Sequence, residues 1–259
     1  MIQKSDLTGF KVAGLEKPIK VTLFADNTTI YLSDEDDFDV LQKILDTWCS
    51  AAKAKFNILK TEIIPIGERS YREEMAKTYK ETGRWRSYPK LVHMVGEGDA
   101  IRILGVFFGN DIDQLAIWSP SIAKVAAAIE CWQKGNATLD GKRHVIQMAV
   151  AGMTQYLTDV QRMPDQVVKR LEKIIRDYLW DGKAVPPIAK EYPRLPIDDG
   201  GLNIIDISAR NEAIDVMWLK MYLNFASDRP QWAYIADDIL ATNDQHIHSE
   251  LGPKEEVGS

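Results

Sequence analysis

Asp26 has the sequence setting that most invites chemistry. It stands in Phe24-Ala25-Asp26-Asn27, flanked by Lys20 to Phe24 and Thr28 to Leu32, two runs that alternate apolar and polar residues. Such runs around an Asp-Asn dipeptide predict a β-hairpin. A tight turn between strands projects a carboxylate, and hard divalent cations take oxygen ligands. A pair of such ions can activate a hydroxyl nucleophile and neutralise phosphate charge in a group transfer. The same tetrapeptide also makes an ordinary turn that needs no chemistry.

Two basic groupings are the next candidates. Arg69, Arg72, Lys77, Lys80, Arg84, Arg86 and Lys90 are interleaved with Tyr71, Tyr79, Trp85 and Tyr88. Cations meet phosphates while bases stack on aromatic faces, so this interval suits a nucleic acid, or else a solvated helix and loop. Farther on come Lys142, Arg143, Lys169, Arg170, Lys173, Arg176 and Lys183, which suit either the same ligand or a solvated helix face. His246 and His248 form a His-x-His pair in an acidic tail that reads as a chance pair. His93 and His144 show no partner in the sequence. Asp36, Asp37 and Asp39 read as the acidic start of a helix. No phosphate-binding Gly-rich loop, dinucleotide fingerprint or Gly-x-Ser-x-Gly is present.

The elements that must hold these residues change character along the chain. After the hairpin, Phe38, Leu41, Leu45, Trp48 and Ala52 recur at helical spacing. Residues 57–67 read as a turn and strand. Ser70 with Glu73 reads as a capping box for a helix over 71–81. Ile101 to Phe108 reads as one strand. Beyond it the period is helical. Ile122, Val125, Ala126, Ile129 and Trp132 form one stripe. Val145, Met148, Ala149, Gly152 and Tyr156 form a second, behind a cap at Asp140. Val168, Leu171, Ile175, Tyr178 and Leu179 form a third, opened by Pro164 and closed by Gly182. Asp206 or Ser208 caps a further helix, and Pro230 opens the last. The expected class is α+β: a small antiparallel sheet with helices over 1–112, an all-α region over 113–182, a loop with helices over 183–242, and a disordered tail over 243–259.

The chain has 259 residues and a net charge of −6. Residues 225–259 hold seven acids against two bases and so carry five of the six surplus negatives. The body is neutral, and the acidic pI of the whole chain does not argue against a nucleic-acid partner. No run of 18 apolar residues occurs, so no membrane is expected. The opening MIQKSDLTGF lacks an apolar core of the kind a secretory signal needs. Cys49 and Cys131 alone make neither a disulfide framework nor a zinc site. An intracellular place, nuclear or cytoplasmic, is expected.

In order, LTGFKV, KVTLFADNTTIYL, a helix, KFNILKTEIIPIG and IRILGVFFG resemble the palm of reverse transcriptases from non-LTR (LINE-type) retrotransposons. LDGKRHVIQMAVAGMTQYL, LEKIIRDYLWDGK and LPIDDGGLNIIDI are similar to that family's thumb and linker. The resemblance covers roughly residues 5–224. It implies that Asp26 is the first aspartate of the family's metal-binding box and that Asn27 replaces the second. It also implies that Lys60 lies near the incoming triphosphate, that Leu104-Gly105-Val106 corresponds to the primer grip, and that Mg²⁺ is the cofactor of intact relatives.

An amide at Asn27 offers an oxygen without charge, so metal affinity is expected to fall. The family's other metal-binding aspartate and its fingers lie upstream of the box, and this chain begins about 25 residues ahead of it. The expectation is a truncated, retrotransposon-derived RNA-directed DNA polymerase fragment that is inactive alone and holds no productive Mg²⁺. The alternative is a non-catalytic nucleic-acid-binding remnant or a protein-interaction module. RNA or DNA, bound weakly, is the expected ligand. A separate chain covering an exposed palm face is the expected protein partner.

Overall fold

The computed structural model describes residues 1–79, 92–183 and 185–250, with side chains described through residue 242. The chain forms two compact units, residues 1–94 with 219–259, and residues 95–218.

The first unit opens with the expected hairpin, β1 (Val21–Phe24) and β2 (Asn27–Ile30). Its register pairs Val21 with Ile30 and Phe24 with Asn27, leaving Ala25-Asp26 as a two-residue turn. Helix α1 (Phe38–Ala52) follows, and the Asp37 carboxylate accepts from the Asp39 N–H at its start. Phe38 and Leu41 are buried, and Leu45 packs beside them. Trp48 was expected inward but is 43% exposed, because α1's covered face is narrow; its ring meets Phe56 instead, with centroids 5.2 Å apart.

Strand β3 (Glu62–Ile63) and helix α2 (Arg69–Thr78) come next. The helix starts two residues ahead of the expected bound. Glu68 is its cap residue without a capping hydrogen bond, so Ser70 is not the cap, and Glu73 is engaged by Arg69. Strand β4 (His93–Met94) pairs parallel with β3. Leu7, Phe38, Leu41, Met75, Tyr79 and Met94 make this unit's core.

In the second unit, Ile101 to Phe108 is not one strand. It is a hairpin of β5 (Ile101–Ile103) and β6 (Val106–Phe108). Leu104 and Gly105 form the turn, with φ of 51° and 88°. The fold is therefore α+β, but among the described residues its strands form three separate two-stranded sheets, one of them parallel.

Helix α3 (Gln114–Gln133) begins well ahead of the stripe that opens at Ile122, because Asp113 caps it by accepting from the Leu115 N–H. Its outermost stripe residue, Trp132, is exposed. Thr138, not Asp140, caps helix α4 (Leu139–Ile146). A π-helical segment, Gln147–Gly152, then runs into α5 (Met153–Gln161). The wider π turn rotates all that follows. Thr154, Leu157 and Thr158 are buried where the simple helical period placed Tyr156, and Met148 and Tyr156 are exposed.

Helix α6 (Asp165–Leu179) buries Val167, Leu171, Ile175, Tyr178 and Leu179. Gly182 adopts φ 72° at its stop and donates to the Asp177 carbonyl. The Pro-rich loop is ordered by Arg194, which bridges Glu172 and Asp206. Asp206 then caps α7 (Ile207–Tyr222) by accepting from the Ala209 N–H. The last helix, α8 (Gln231–Glu250), continues through residues expected to be disordered; positions 251–259 lie outside the described residues.

Candidate functional site

Asp26 sits at the tip of the first hairpin, its carboxylate open to solvent. Ala25 precedes it in left-handed conformation, φ 52°, where a residue with Cβ costs roughly 1–2 kcal/mol. Asn27 is the first residue of β2, and its Nδ2 faces Asp26 Oδ1 at 3.5 Å. The amide thus turns its N–H, not its oxygen, toward the aspartate. On the strand that enters the tip, Leu23 and Phe24 are 70% and 66% exposed.

The turn supplies one hard oxygen ligand of the kind Mg²⁺ takes. Among the described residues no group of three or more His, Cys, Asp or Glu could hold a metal ion. These residues fit one ligand of a two-ion site and do not fit the whole.

Lys60 ends a 3₁₀ turn, Ile58–Lys60, and is exposed. Its neighbours in the Asn-x-x-Lys-Thr segment build that turn. The Asn57 side chain accepts from the Leu59 N–H at 3.1 Å, and Thr61 Oγ1 donates to the Asn57 carbonyl at 3.0 Å. Next to this turn the first unit holds a cleft of about 1620 Å³. Ile30 of the hairpin, Leu45 of α1, Ile58, Ile66 and Trp232 of α8 line it. Small-molecule pockets run to about 300–1,000 Å³, so this opening is wider than those.

The basic interval of 69–90 is partly paired. Glu73 draws Arg69 at 2.9 Å and Lys77 at 4.0 Å, and Arg72 donates to the Gly67 carbonyl. Tyr79 is buried and donates to the Val92 carbonyl, and Tyr71 packs against the core. Neither is a free stacking face. Lys80, Arg84, Trp85, Arg86, Tyr88 and Lys90 lie outside the described residues.

The helical cluster separates into two kinds of cation. Lys142 was expected on a solvent-facing surface, yet it is 7% exposed. Its ammonium donates to the Leu179 carbonyl at 3.2 Å and to Asp181 at 2.6 Å, and so stabilises the C-terminal end of α6. Arg143 is tied to Asp140 at 3.0 Å. Lys169, Arg170 and Lys173 are exposed on α6, opposite its buried stripe. Among the described residues none of the three pairs with a carboxylate. His93 and His144 do have partners, Glu62 at 2.6 Å and Asp140 at 3.6 Å.

Leu104, Gly105 and Val106 lie at the turn of the second hairpin and were expected inside a buried strand; Leu104 is exposed. Two residues hold this hairpin, Gln161, which the sequence did not single out, and Tyr156, which was expected only as part of a helical stripe. The Tyr156 hydroxyl donates to the Leu104 carbonyl. The Gln161 side chain accepts from the Phe107 N–H and donates to its carbonyl, both at 2.9 Å. A third, Arg210, spreads its guanidinium over Thr154 at 2.9 Å, Thr158 at 3.1 Å and the Ala151 carbonyl. Burial pulls Arg210 below the usual arginine range.

No protein-family model matches the chain. The chain is 21% identical over 243 residues to the Transposon TX1 uncharacterized 149 kDa protein of Xenopus laevis. That alignment takes in 89% of this chain and 17% of the transposon protein, so the chain spans about a sixth of its relative's length. Among the described residues no helix is long and apolar enough to cross a membrane.

Proposed function

We propose that this chain is a palm-and-thumb segment of a LINE-type reverse transcriptase, derived from a retrotransposon. In this reading it binds nucleic acid and does not polymerise with its own residues alone. The observation that carries the reading is Asp26, an open carboxylate at the tip of a hairpin, within the ordered run of segments that resemble that family. The distant similarity to a transposon protein points the same way.

Asp26 would hold one Mg²⁺ ligand position, and a bound ion pair would supply charge neutralisation at a triphosphate. Asn27 adds no negative charge, and Lys60 would stand near the triphosphate. The unpaired cations of α6, Lys169, Arg170 and Lys173, would meet phosphates, with Arg143 and the 69–86 interval as further contacts.

Binding at two salt concentrations tests the nucleic-acid part. Phosphate contacts by cations give a linear fall of log affinity with log salt, and each lysine removed lowers the slope by about 1. Lys169→Ala and Lys173→Ala should each do so on a primed RNA template. Equal slopes in wild type and both variants would defeat the assignment.

The cleft of the first unit favours a companion reading, that a polypeptide segment, supplied by a separate chain, covers this face. Exposed Leu23, Phe24, Leu59 and Ile66 enlarge the apolar surface. Sedimentation with an apolar-surface dye checks it. A monomer that binds no dye would contradict it.

A further inference from the structure

Helix α7 is apolar on two opposite faces, and a helix of that kind in a folded protein is covered on both. One face is held within the second unit. Ile207 is fully buried, Arg210 donates to Thr154 and Thr158, and Trp218 Nε1 donates to the Asp159 carbonyl at 2.9 Å. An α-helix turns about 100° per residue, which puts Val216 at the middle of the opposite face. Val216 is 62% exposed. Ala209, Glu212, Lys220 and Leu223 lie within about 40° of its direction, and all four are exposed. Leu223 follows the last residue of the helix, but its N–H still donates to the Leu219 carbonyl, so it keeps a helical position. Among the described residues neither Glu212 nor Lys220 belongs to an ion pair. They stand about 12 Å apart along the axis and cannot pair with each other on one helix.

The stripe is self-complementary about Val216. When two identical helices cross antiparallel at Val216, residues equally far before and after it come level with each other, as a two-fold axis requires. Val216 then meets its own counterpart, Ala209 comes level with Leu223, and Glu212 with Lys220. A small residue faces a large one and an acid faces a base, and the axis repeats both pairs. A parallel pair would set like charge against like charge. We propose that the outer face of α7 is a self-association surface, on which a second copy of this chain docks antiparallel with Val216 at the two-fold axis. Val216 and Leu223 supply the apolar contact, and the two charges select the direction. The inference uses neither the nucleic-acid contacts nor the cleft of the first unit. A seam of one helix on each side is small for a stable interface, so the dimer is weak and reversible, with a dissociation constant on the order of micromolar.

The test is sedimentation equilibrium of the full chain across the micromolar range. Wild type should show a reversible monomer–dimer equilibrium that added salt weakens. Glu212→Lys alone and Lys220→Glu alone each set like charges level in both symmetry-related pairs, and each should weaken dimerisation about tenfold. An equimolar mixture of these two single variants should regain the wild-type constant as a heterodimer. The chain that carries both changes should regain it as a homodimer. Val216→Glu brings two carboxylates together at the axis and should leave only monomer. All three positions are exposed, so thermal melts of the variants should stay within a few degrees of wild type. Wild type that remains monomeric would overturn the proposal. A dimer that no single variant weakens would also overturn it and would move association to another face, such as the cleft of the first unit. So would weakening in both single variants without recovery in their mixture.

Discussion

The two units are built to different degrees of closure. In the second, Trp118, Val125, Val150, Leu171 and Ile207 are fully buried, and helices α3 to α6 cover one another. In the first, the large core residues Leu7 and Leu41 retain 3% and 4% exposure, around a small cluster beside an open cleft. The reason is the range of the contacts. Helices make their backbone bonds locally and need only one covered stripe. Strands need neighbours, and a two-stranded hairpin is marginal alone. The first unit has a hairpin and a two-residue parallel pair, with Leu23 and Phe24 left exposed on the strand that enters the Asp26 turn.

Core truncation separates the units most strongly. Trp118→Ala removes a fully buried ring whose Nε1 donates to the Arg162 carbonyl, and should cost about 3–5 kcal/mol. Leu41→Ala, beside a face that can collapse, should cost about 2 kcal/mol, at the low end for its type. Denaturant titration of both variants checks the pair; equal losses would break the comparison.

The next contrast lies within the second unit, between one buried cation and two exposed ones. Lys142→Ala leaves the Leu179 carbonyl without its donor and should cost about 1–3 kcal/mol. Lys169→Ala and Lys173→Ala should change stability by less than about 0.5 kcal/mol. Thermal melts of the three variants sharpen the distinction between a structural lysine and the two proposed to meet phosphate.

Acid should act on the first unit through Asp36. Burial alone would raise its pKa, but the N–H groups of Thr8, Gly9 and Ser33 outweigh burial and hold the carboxyl below the usual aspartate range. A depressed folded-state pKa means that the stabilisation is complete above the unfolded value. It is lost as pH falls through the folded value, which places the loss below about pH 4. Asp36→Asn should flatten that acid limb and leave stability above pH 6 lower by about 1 kcal/mol. Melts between pH 2 and 7 check the sign.

What the sequence revealed depended on range in the same way. The Asp26 hairpin is legible because its turn and both strands lie within a dozen residues. The α3 and α6 stripes are legible because their period is unbroken. The period misplaces Tyr156 because the π segment at 147–152 adds a rotation that no residue type announces. Ile101 to Phe108 reads as one strand because Leu104 gives no hint of its positive φ. Lys142 reads as solvated because its partners lie 37 and 39 residues away. The hold of Tyr156 and Gln161 on Leu104 and Phe107 spans 52 and 54 residues and has no local signature.

The central proposal is that Asp26 would supply one ligand of a two-ion centre and that the described residues do not complete it. Primer extension by the 259-residue chain on a primed RNA template with Mg²⁺ tests it most directly, run on preparations whose template binding has been verified. Two-ion transfer holds its metals about 3.5–4 Å apart, and small misplacements cost orders of magnitude in rate. The account predicts no extension by wild type and none by Asn27→Asp, which restores one charge but not a second ligand-bearing segment. Mg²⁺-dependent extension by the chain alone, abolished by Asp26→Ala, would contradict it.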